Sequence, residues 1–90
     1  MFKNLEELVK IIRARKTTSA SESYTNKLLN DKSLSKRKVL EEINELIEAV
    51  ENDTNKIHEA ADVFYHLIMY LEANEIKIED IMDELQKRKK

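Results

Sequence analysis

Val39-Leu40-Glu41-Glu42-Ile43-Asn44-Glu45-Leu46-Ile47-Glu48-Ala49-Val50 runs, across the turn Asn52-Asp53-Thr54, into Glu59-Ala60-Ala61-Asp62-Val63-Phe64-Tyr65-His66-Leu67-Ile68-Met69-Tyr70-Leu71. In the first stretch Val39, Ile43, Leu46, Ile47 and Val50 recur at helical spacing. This predicts a helix over 36–51, with Ser35 as its N-cap. The second stretch predicts a helix over 54–73. Its first half is amphipathic, and Val63 to Leu71 is apolar nearly all round, which predicts burial on every side. A turn this short makes the two helices an antiparallel hairpin.

Outward from the hairpin, Phe2, Leu5, Leu8, Val9 and Ile12 predict a first helix over 2–15. It closes on Arg13, Arg15 and Lys16, cations that suit a helix C-terminus. Thr17 to Ser23 is polar and aperiodic and reads as a loop. Tyr24 to Leu29 is long enough for one or two helical turns, with Leu28 and Leu29 as anchors. A last helix over 78–88 turns Ile78, Ile81, Met82 and Leu85 inward, and the tail Lys87-Arg88-Lys89-Lys90 frays into solvent. With no glycine in the chain, Asn30, Asn52 and Asn74 are the residues expected at left-handed helix ends. The expected fold is all-α: a single domain over 1–90, a four- to five-helix bundle built on the hairpin. The remaining short helices are too few to cover Val63 to Leu71, so a second subunit is expected to complete the core as a homodimer.

Composition narrows the function. The chain has 90 residues, enough for one thin core. It has no Cys, which removes disulfides, zinc knuckles and thiol nucleophiles and suits a reducing, cytoplasmic setting. It has neither Gly nor Pro, so a P-loop or a glycine-rich dinucleotide turn is impossible. Phosphates must be held by cations, side chains or helix ends instead. The net charge of −2 argues against nucleic acid as a partner. The longest nearly apolar run is far short of the roughly 20 residues that span a membrane. Charged residues reach 38%, which reads as solvated helix faces.

The chemistry sits on the hairpin. Glu42 and Glu45 are three apart on one helix, and Glu59 and Asp62 three apart on the next, so each pair shares a face. Glu45 and Glu59 lie seven residues either side of Asn52, Glu42 and Asp62 ten either side. Both pairs therefore stand at the same height above the turn, and facing helices would gather four carboxylates at one point. Such a cluster repels itself unless a cation neutralises it. All-oxygen donors favour Mg²⁺ or Mn²⁺ over zinc or a di-iron centre. A bound Mg²⁺ commonly bridges carboxylates to phosphates, which points to hydrolysis of a phosphoanhydride, with a carboxylate orienting the water or taking its proton. The competing reading is a solvated acidic face. It suits Glu41, Glu45 and Glu48 well and Asp62 badly, because Asp is a poor helix-interior residue placed here where the helix turns apolar.

His66 lies one turn beyond Asp62. It is either a core histidine bonded to a neighbour, or a support for Asp62 or contact to substrate. Tyr65 and Tyr70 read as core or interface aromatics. Among the basic residues, Lys38 is one turn before Glu42, and Lys27 follows Tyr24 on a similar face; these are the candidates for holding phosphates.

These residues resemble a known family. Glu41-Glu42-Ile43-Asn44-Glu45 with Glu59-Ala60-Ala61-Asp62 is similar to the split Glu-Glu-x-x-Glu and Glu-x-x-Asp motif of the MazG-like all-α nucleoside triphosphate pyrophosphohydrolases. Within them, Ser23-Tyr24-Thr25-Asn26-Lys27-Leu28-Leu29, Lys38-Val39 and Ala60-Ala61-Asp62-Val63-Phe64-Tyr65-His66 resemble the phosphoribosyl-ATP pyrophosphohydrolases of histidine biosynthesis. The resemblance covers nearly the whole chain. It implies hydrolysis of 1-(5-phosphoribosyl)-ATP to 1-(5-phosphoribosyl)-AMP and pyrophosphate, Mg²⁺ as cofactor, and a homodimer with helices of both subunits packed together. It also implies Glu42, Glu45, Glu59 and Asp62 as catalytic metal ligands, with Lys38, Lys27, Tyr24 and His66 as substrate-binding candidates. Leu40 stands where that family usually has Gly, Lys77 where a capping Ser is common, and the segment before Ser23 lacks the usual Pro and Gly. Two rival readings are a house-cleaning nucleoside triphosphate pyrophosphohydrolase and a non-catalytic helical dimerisation module.

Overall fold

The computed structural model describes residues 2–17 and 23–89. Five helices follow one another: α1 (Lys3–Arg15), α2 (Tyr24–Leu29), α3 (Lys32–Asn52), α4 (Lys56–Ala73) and α5 (Ile78–Lys87). There is no strand among the described residues, so the fold is all-α as the periodicity required. The expected loop from Thr17 to Ser23 lies outside the described residues at 18–22.

Helix α3 starts four residues before the predicted position. Its N-cap is Asp31, whose carboxylate accepts the Leu34 N–H at 3.0 Å. Ser35 is therefore not a cap. It lies inside the helix and is 2% exposed. Either residue type makes a good cap, and the chain uses the earlier one.

The left-handed positions also differ from expectation. Asp53 (φ 54), Asn55 (φ 41) and Glu75 (φ 59) take them, while Asn30 and Asn74 hold φ at −102 and Asn52 stays helical. The two asparagines at −102 cap through their side chains instead. Asn30 Nδ2 donates to the Asn26 carbonyl at 2.9 Å, and Asn74 Nδ2 to the Tyr70 carbonyl at 2.8 Å. After α3, Thr54 N–H bonds the Ala49 carbonyl at 2.9 Å and Asp53 N–H the Val50 carbonyl at 3.4 Å. After α4, Ile76 N–H bonds the Leu71 carbonyl at 2.9 Å and Glu75 N–H the Glu72 carbonyl at 3.1 Å. Both are Schellman ends built without glycine. A side chain with a Cβ in that region costs roughly 1–2 kcal/mol, a cost the capped carbonyls offset.

The core lies where α1, α2 and the second half of α4 meet. Val9, Ile12, Leu28, Leu29, Ile68, Met69 and Ala73 form it, with Leu5, Leu8, Leu34, Tyr65 and Ile78 packed around. Helices α3 and α4 form the antiparallel hairpin and share the longest interface. Glu72, 6% exposed, sits at the far end of α4 and holds α1 there: Arg13 Nε at 2.8 Å and Lys16 Nζ at 2.9 Å. The same Arg13 reaches Glu79 of α5 through two bonds, at 2.7 and 2.5 Å. Lys77, at the N-cap of α5, makes no side-chain cap bond.

The expectation that Val63 to Leu71 is buried on all sides fails within one chain. Phe64 is 56% exposed and Leu67 42%. On α3 the stripe splits: Val39 faces the core, while Leu40, Ile43, Ile47 and Val50 stay exposed. One outer side of the hairpin is thus apolar and uncovered. No helix among the described residues is long and apolar enough to cross a membrane.

Candidate metal centre

The carboxylates project from the first half of α4 and the middle of α3, outside the cluster formed by α1, α2 and the second half of α4. Glu42, Glu45 and Glu59 each offer a carboxylate oxygen, and these oxygens lie within 4.8 Å of one another. Glu42 and Glu59 are partly buried, Glu45 exposed. One oxygen each of Glu42 and Glu59, Oε2 in both, is shielded from solvent and has no hydrogen-bond partner. A shielded, unpartnered carboxylate oxygen is costly. Two of them on residues that share one small carboxylate group are what a hard cation would satisfy.

The electrostatics agree. Burial, followed by the charge of Glu45, raises the Glu42 carboxyl above its ordinary value. Glu59 is raised in the same way, by burial and then by Glu45. Both carboxylates therefore sit where their own charge is disfavoured, a condition that a bound cation would relieve.

The four predicted ligands do not meet at a single point. Asp62 stands with Glu59 and His58 in a second group, whose donor atoms also lie within 4.8 Å. Glu59 belongs to both groups and joins them. Asp62 is also less buried than the sequence suggested: its side chain is 36% exposed, and His58 Nε2 lies 3.4 Å from its Oδ2. The residue expected to be hardest to explain as surface charge is thus about one-third open to solvent. His58 is the neighbour that motif spacing missed. Its position four residues before Asp62 on one helix face was the available signal.

His66 is 8% exposed and sits behind this cluster. Its Nδ1 lies 2.9 Å from the Asp62 carbonyl oxygen. A carbonyl only accepts, so Nδ1 carries a proton, and in the neutral ring Nε2 is left as an acceptor. The Tyr24 hydroxyl, 3.3 Å away, then donates to it. His66 is thus a bonded, buried histidine that ties α2 to the main chain at Asp62. Thr25 and Tyr65 share a hydroxyl–hydroxyl bond beside it, so Tyr65 belongs to this packing. Burial raises the Tyr24 hydroxyl, against the opposing effect of the Lys38 ammonium. Lys38 itself pairs with Glu41 at 3.5 Å. Tyr24, Lys38 and His66 therefore border the carboxylates. Lys27 is exposed and forms no ion pair with the described residues.

A cleft of about 210 Å³ opens at the turn beside the cluster, lined by Glu45, Glu48, Asn52, Thr54, Asn55 and Glu59 among others. A larger one, about 570 Å³, lies among Arg13, Lys16, Glu72, Glu75, Lys77 and Glu79. It is not the site. Glu72 is 13 residues beyond Glu59 on α4, roughly 20 Å along the axis, and Arg13 and Lys16 are already neutralised by Glu72 and Glu79.

Comparison with known proteins supplies the substrate class that carboxylates alone leave open. Residues 5–89 match the family model described as phosphoribosyl-ATP pyrophosphohydrolase. A phosphoribosyl-ATP pyrophosphatase of Clostridium novyi is 44% identical, covering 96% of this chain and 81% of the relative. One of Halobacterium salinarum is 35% identical over 94% of this chain and 96% of its own. The histidine biosynthesis bifunctional protein HisIE of Pyrococcus furiosus is 39% identical over 96% of this chain, but only 41% of that longer protein. No solved structure matches. A match that extends over nearly every helix, including the hairpin that carries the carboxylates, means that the chain belongs to the phosphoribosyl-ATP pyrophosphohydrolase family of enzymes.

Proposed function

We propose that this chain hydrolyses 1-(5-phosphoribosyl)-ATP to 1-(5-phosphoribosyl)-AMP and pyrophosphate in histidine biosynthesis, using Mg²⁺ held by the hairpin carboxylates. The observation that carries the metal reading is the convergence of Glu42, Glu45 and Glu59 with two shielded oxygens lacking any partner. Family membership carries the substrate. When bound, Mg²⁺ neutralises phosphate charge and makes water a better nucleophile.

The chain's own residues supply the rest. Glu42 and Glu59 hold the cation, with Asp62 at the far side of Glu59. Glu45 is the carboxylate most open to bulk water, placed to orient the attacking molecule or accept its proton. Water adds across one phosphoanhydride bond, and pyrophosphate leaves. Tyr24 and Lys38 form the wall toward α2 and are assigned to substrate, with His66 fixing the Tyr24 hydroxyl. Lys27 is assigned to a phosphate on the weaker ground of its exposure and its place after Tyr24. The substrate is a phosphorylated metabolite, which does not cross membranes freely, so the reading places the enzyme in the cytoplasm.

We also propose a homodimer. Leu40, Ile43, Ile47 and Val50 on α3 and Phe64 and Leu67 on α4 are all exposed apolar residues of the hairpin. A second copy offers the same face, and isologous pairing would cover both.

A substrate panel tests the function. Pyrophosphate release from phosphoribosyl-ATP, well above release from ordinary nucleoside triphosphates, is the expected result. Preference for free deoxynucleoside triphosphates would replace this reading with the house-cleaning one.

A further inference from the structure

Tyr24 opens α2 and is 49% exposed beside the hairpin carboxylates. The charges of Lys38, Glu42 and Glu41 all act on its hydroxyl. A phenol can donate one hydrogen bond and accept others, so a contact with substrate has two possible polarities. The bonds behind Tyr24 leave one of them. His66 Nδ1 lies 2.9 Å from the Asp62 carbonyl oxygen, which only accepts, so the imidazole proton sits on Nδ1. Nε2 of the neutral ring is then a bare lone pair, and the Tyr24 hydroxyl 3.3 Å away is its donor. Turning the ring over would put carbon at both places and forfeit both bonds. The ring is also held in place: it is 8% exposed and stands edge-on to Tyr24 and Tyr65, with centroids 6.2 and 5.3 Å away.

The Tyr24 proton is therefore committed inward, to His66. Burial raises the hydroxyl above its ordinary value, so that proton stays on the oxygen. What Tyr24 presents outward is lone pairs. This polarity sorts the groups of a ribosylated nucleotide. Ionised phosphate oxygens only accept, and at Tyr24 they would meet lone pair against lone pair. They belong with the ammonium of Lys38, which only donates. A sugar hydroxyl can donate. The wall is charged and half open, which suits a sugar better than a base seeking an apolar slot.

We propose that Tyr24 determines specificity by accepting a hydrogen bond from a ribose hydroxyl of the substrate, with His66 as the positioning residue that keeps the Tyr24 proton turned inward. This rests on the reading of the chain as a phosphoribosyl-ATP hydrolase. That substrate carries two riboses, and the experiment decides which of them supplies the hydroxyl.

The test is kcat/KM of wild type, Tyr24→Phe and His66→Phe on phosphoribosyl-ATP and on analogues of it. In the analogues each 2′- or 3′-hydroxyl of either ribose is replaced in turn by hydrogen, by fluorine or by an amino group. At one position, hydrogen should lower wild-type kcat/KM about five- to ten-fold, the size of one hydrogen bond net of water. Fluorine, which can only accept, should be as poor as hydrogen there, and an amino group, which donates, should retain most of the rate. Tyr24→Phe should lose the same factor on phosphoribosyl-ATP and no longer distinguish hydrogen from hydroxyl at that position. A purely structural Tyr24 would instead slow every analogue alike, and that result overturns the proposal. So does a wild type that accepts fluorine as well as hydroxyl, or one indifferent to substitution at every position; both are read without any variant. His66→Phe frees the Tyr24 proton, so fluorine should then rise above hydrogen; fluorine that stays as poor as hydrogen overturns the role of His66. A wild type that hydrolyses nucleoside triphosphates but not phosphoribosyl-ATP overturns the functional reading, and the same substitutions on the single ribose of ATP then decide this proposal separately.

Discussion

Replacing Glu42 with Gln should make the metal-free protein more stable while removing the reason the site exists. The Glu42 and Glu45 oxygens lie within 4.8 Å of each other. Two unit charges at that distance repel by about 0.9 kcal/mol in bulk water and by about 3.5 kcal/mol at an effective dielectric of about 20. Glu42 is partly buried, so its environment lies between those limits. Rotation of the side chains and salt screening take some of it back, leaving a gain of about 1–2 kcal/mol in Glu42→Gln. The new amide can also donate to a neighbouring carboxylate where Oε2 now has no partner. For a domain of this size the gain corresponds to a melting temperature roughly 4–15 °C higher. The assay is thermal unfolding by circular dichroism in EDTA and again in excess Mg²⁺. Wild type should rise on adding Mg²⁺, and Glu42→Gln should start higher and respond little, since a bound ion stabilises only the form that binds it. The pH profile follows the same sign. The Glu42 pKa is raised by folding, so the folded state holds more protons than the unfolded between the two values. Metal-free wild type therefore gains stability as pH falls from neutrality through the folded-state pKa, and Glu42→Gln flattens that gain. A Glu42→Gln protein that is less stable than wild type in EDTA and still stabilised by Mg²⁺ would refute the reasoning.

Four further outcomes are expected. Arg13→Gln should cost roughly 1–3 kcal/mol in urea unfolding, because Glu72 is left buried with Lys16 as its remaining partner; turnover per folded molecule should not change. The same network predicts acid sensitivity. Arg13 holds the Glu79 carboxyl down to about 2, and although burial pushes Glu72 up, Lys16 and then Arg13 hold it below its ordinary value. Their contribution is complete above the unfolded-state pKa and is lost as pH falls below about 4, which an acid titration of wild type against Arg13→Gln would show. Glu75→Gly should raise stability by about 0.5–1 kcal/mol by relieving the left-handed φ of 59, measured by the same unfolding. Phe64→Glu, on the exposed apolar face, should convert a dimer to monomers in sedimentation velocity; an unchanged dimer would move the interface elsewhere.

The hairpin and its acidic motif were legible because helical period and i, i+3 spacing are local properties. Glu42, Glu45 and Glu59 converge as that spacing required. Asp62 does not join them, because equal residue counts from a turn fix height along the hairpin but not the direction of each side chain. The turn itself runs over Asp53, Thr54 and Asn55, not around Asn52. The left-handed residues were displaced by one position after α3 and α4 for a similar reason: a Schellman end is defined by which carbonyls are capped, and Asn74 met that need with its side chain. The Glu72 clamp was not read at all, since its partners Arg13, Lys16 and Glu79 are brought together only by tertiary packing. The apolar faces of α3 and α4 announced burial, but periodicity alone does not say whether the rest of one chain is large enough to cover them, and here Phe64, Leu67 and the outer residues of α3 stay exposed.

The most direct test is pyrophosphate release from 1-(5-phosphoribosyl)-ATP by wild type and Glu59→Gln, each with Mg²⁺ and with EDTA. Wild type should turn over only with Mg²⁺, and Glu59→Gln, folded by circular dichroism, should be inactive in both. Turnover by wild type in EDTA, or full activity of Glu59→Gln with Mg²⁺, would contradict the assignment of the hairpin carboxylates as the metal centre.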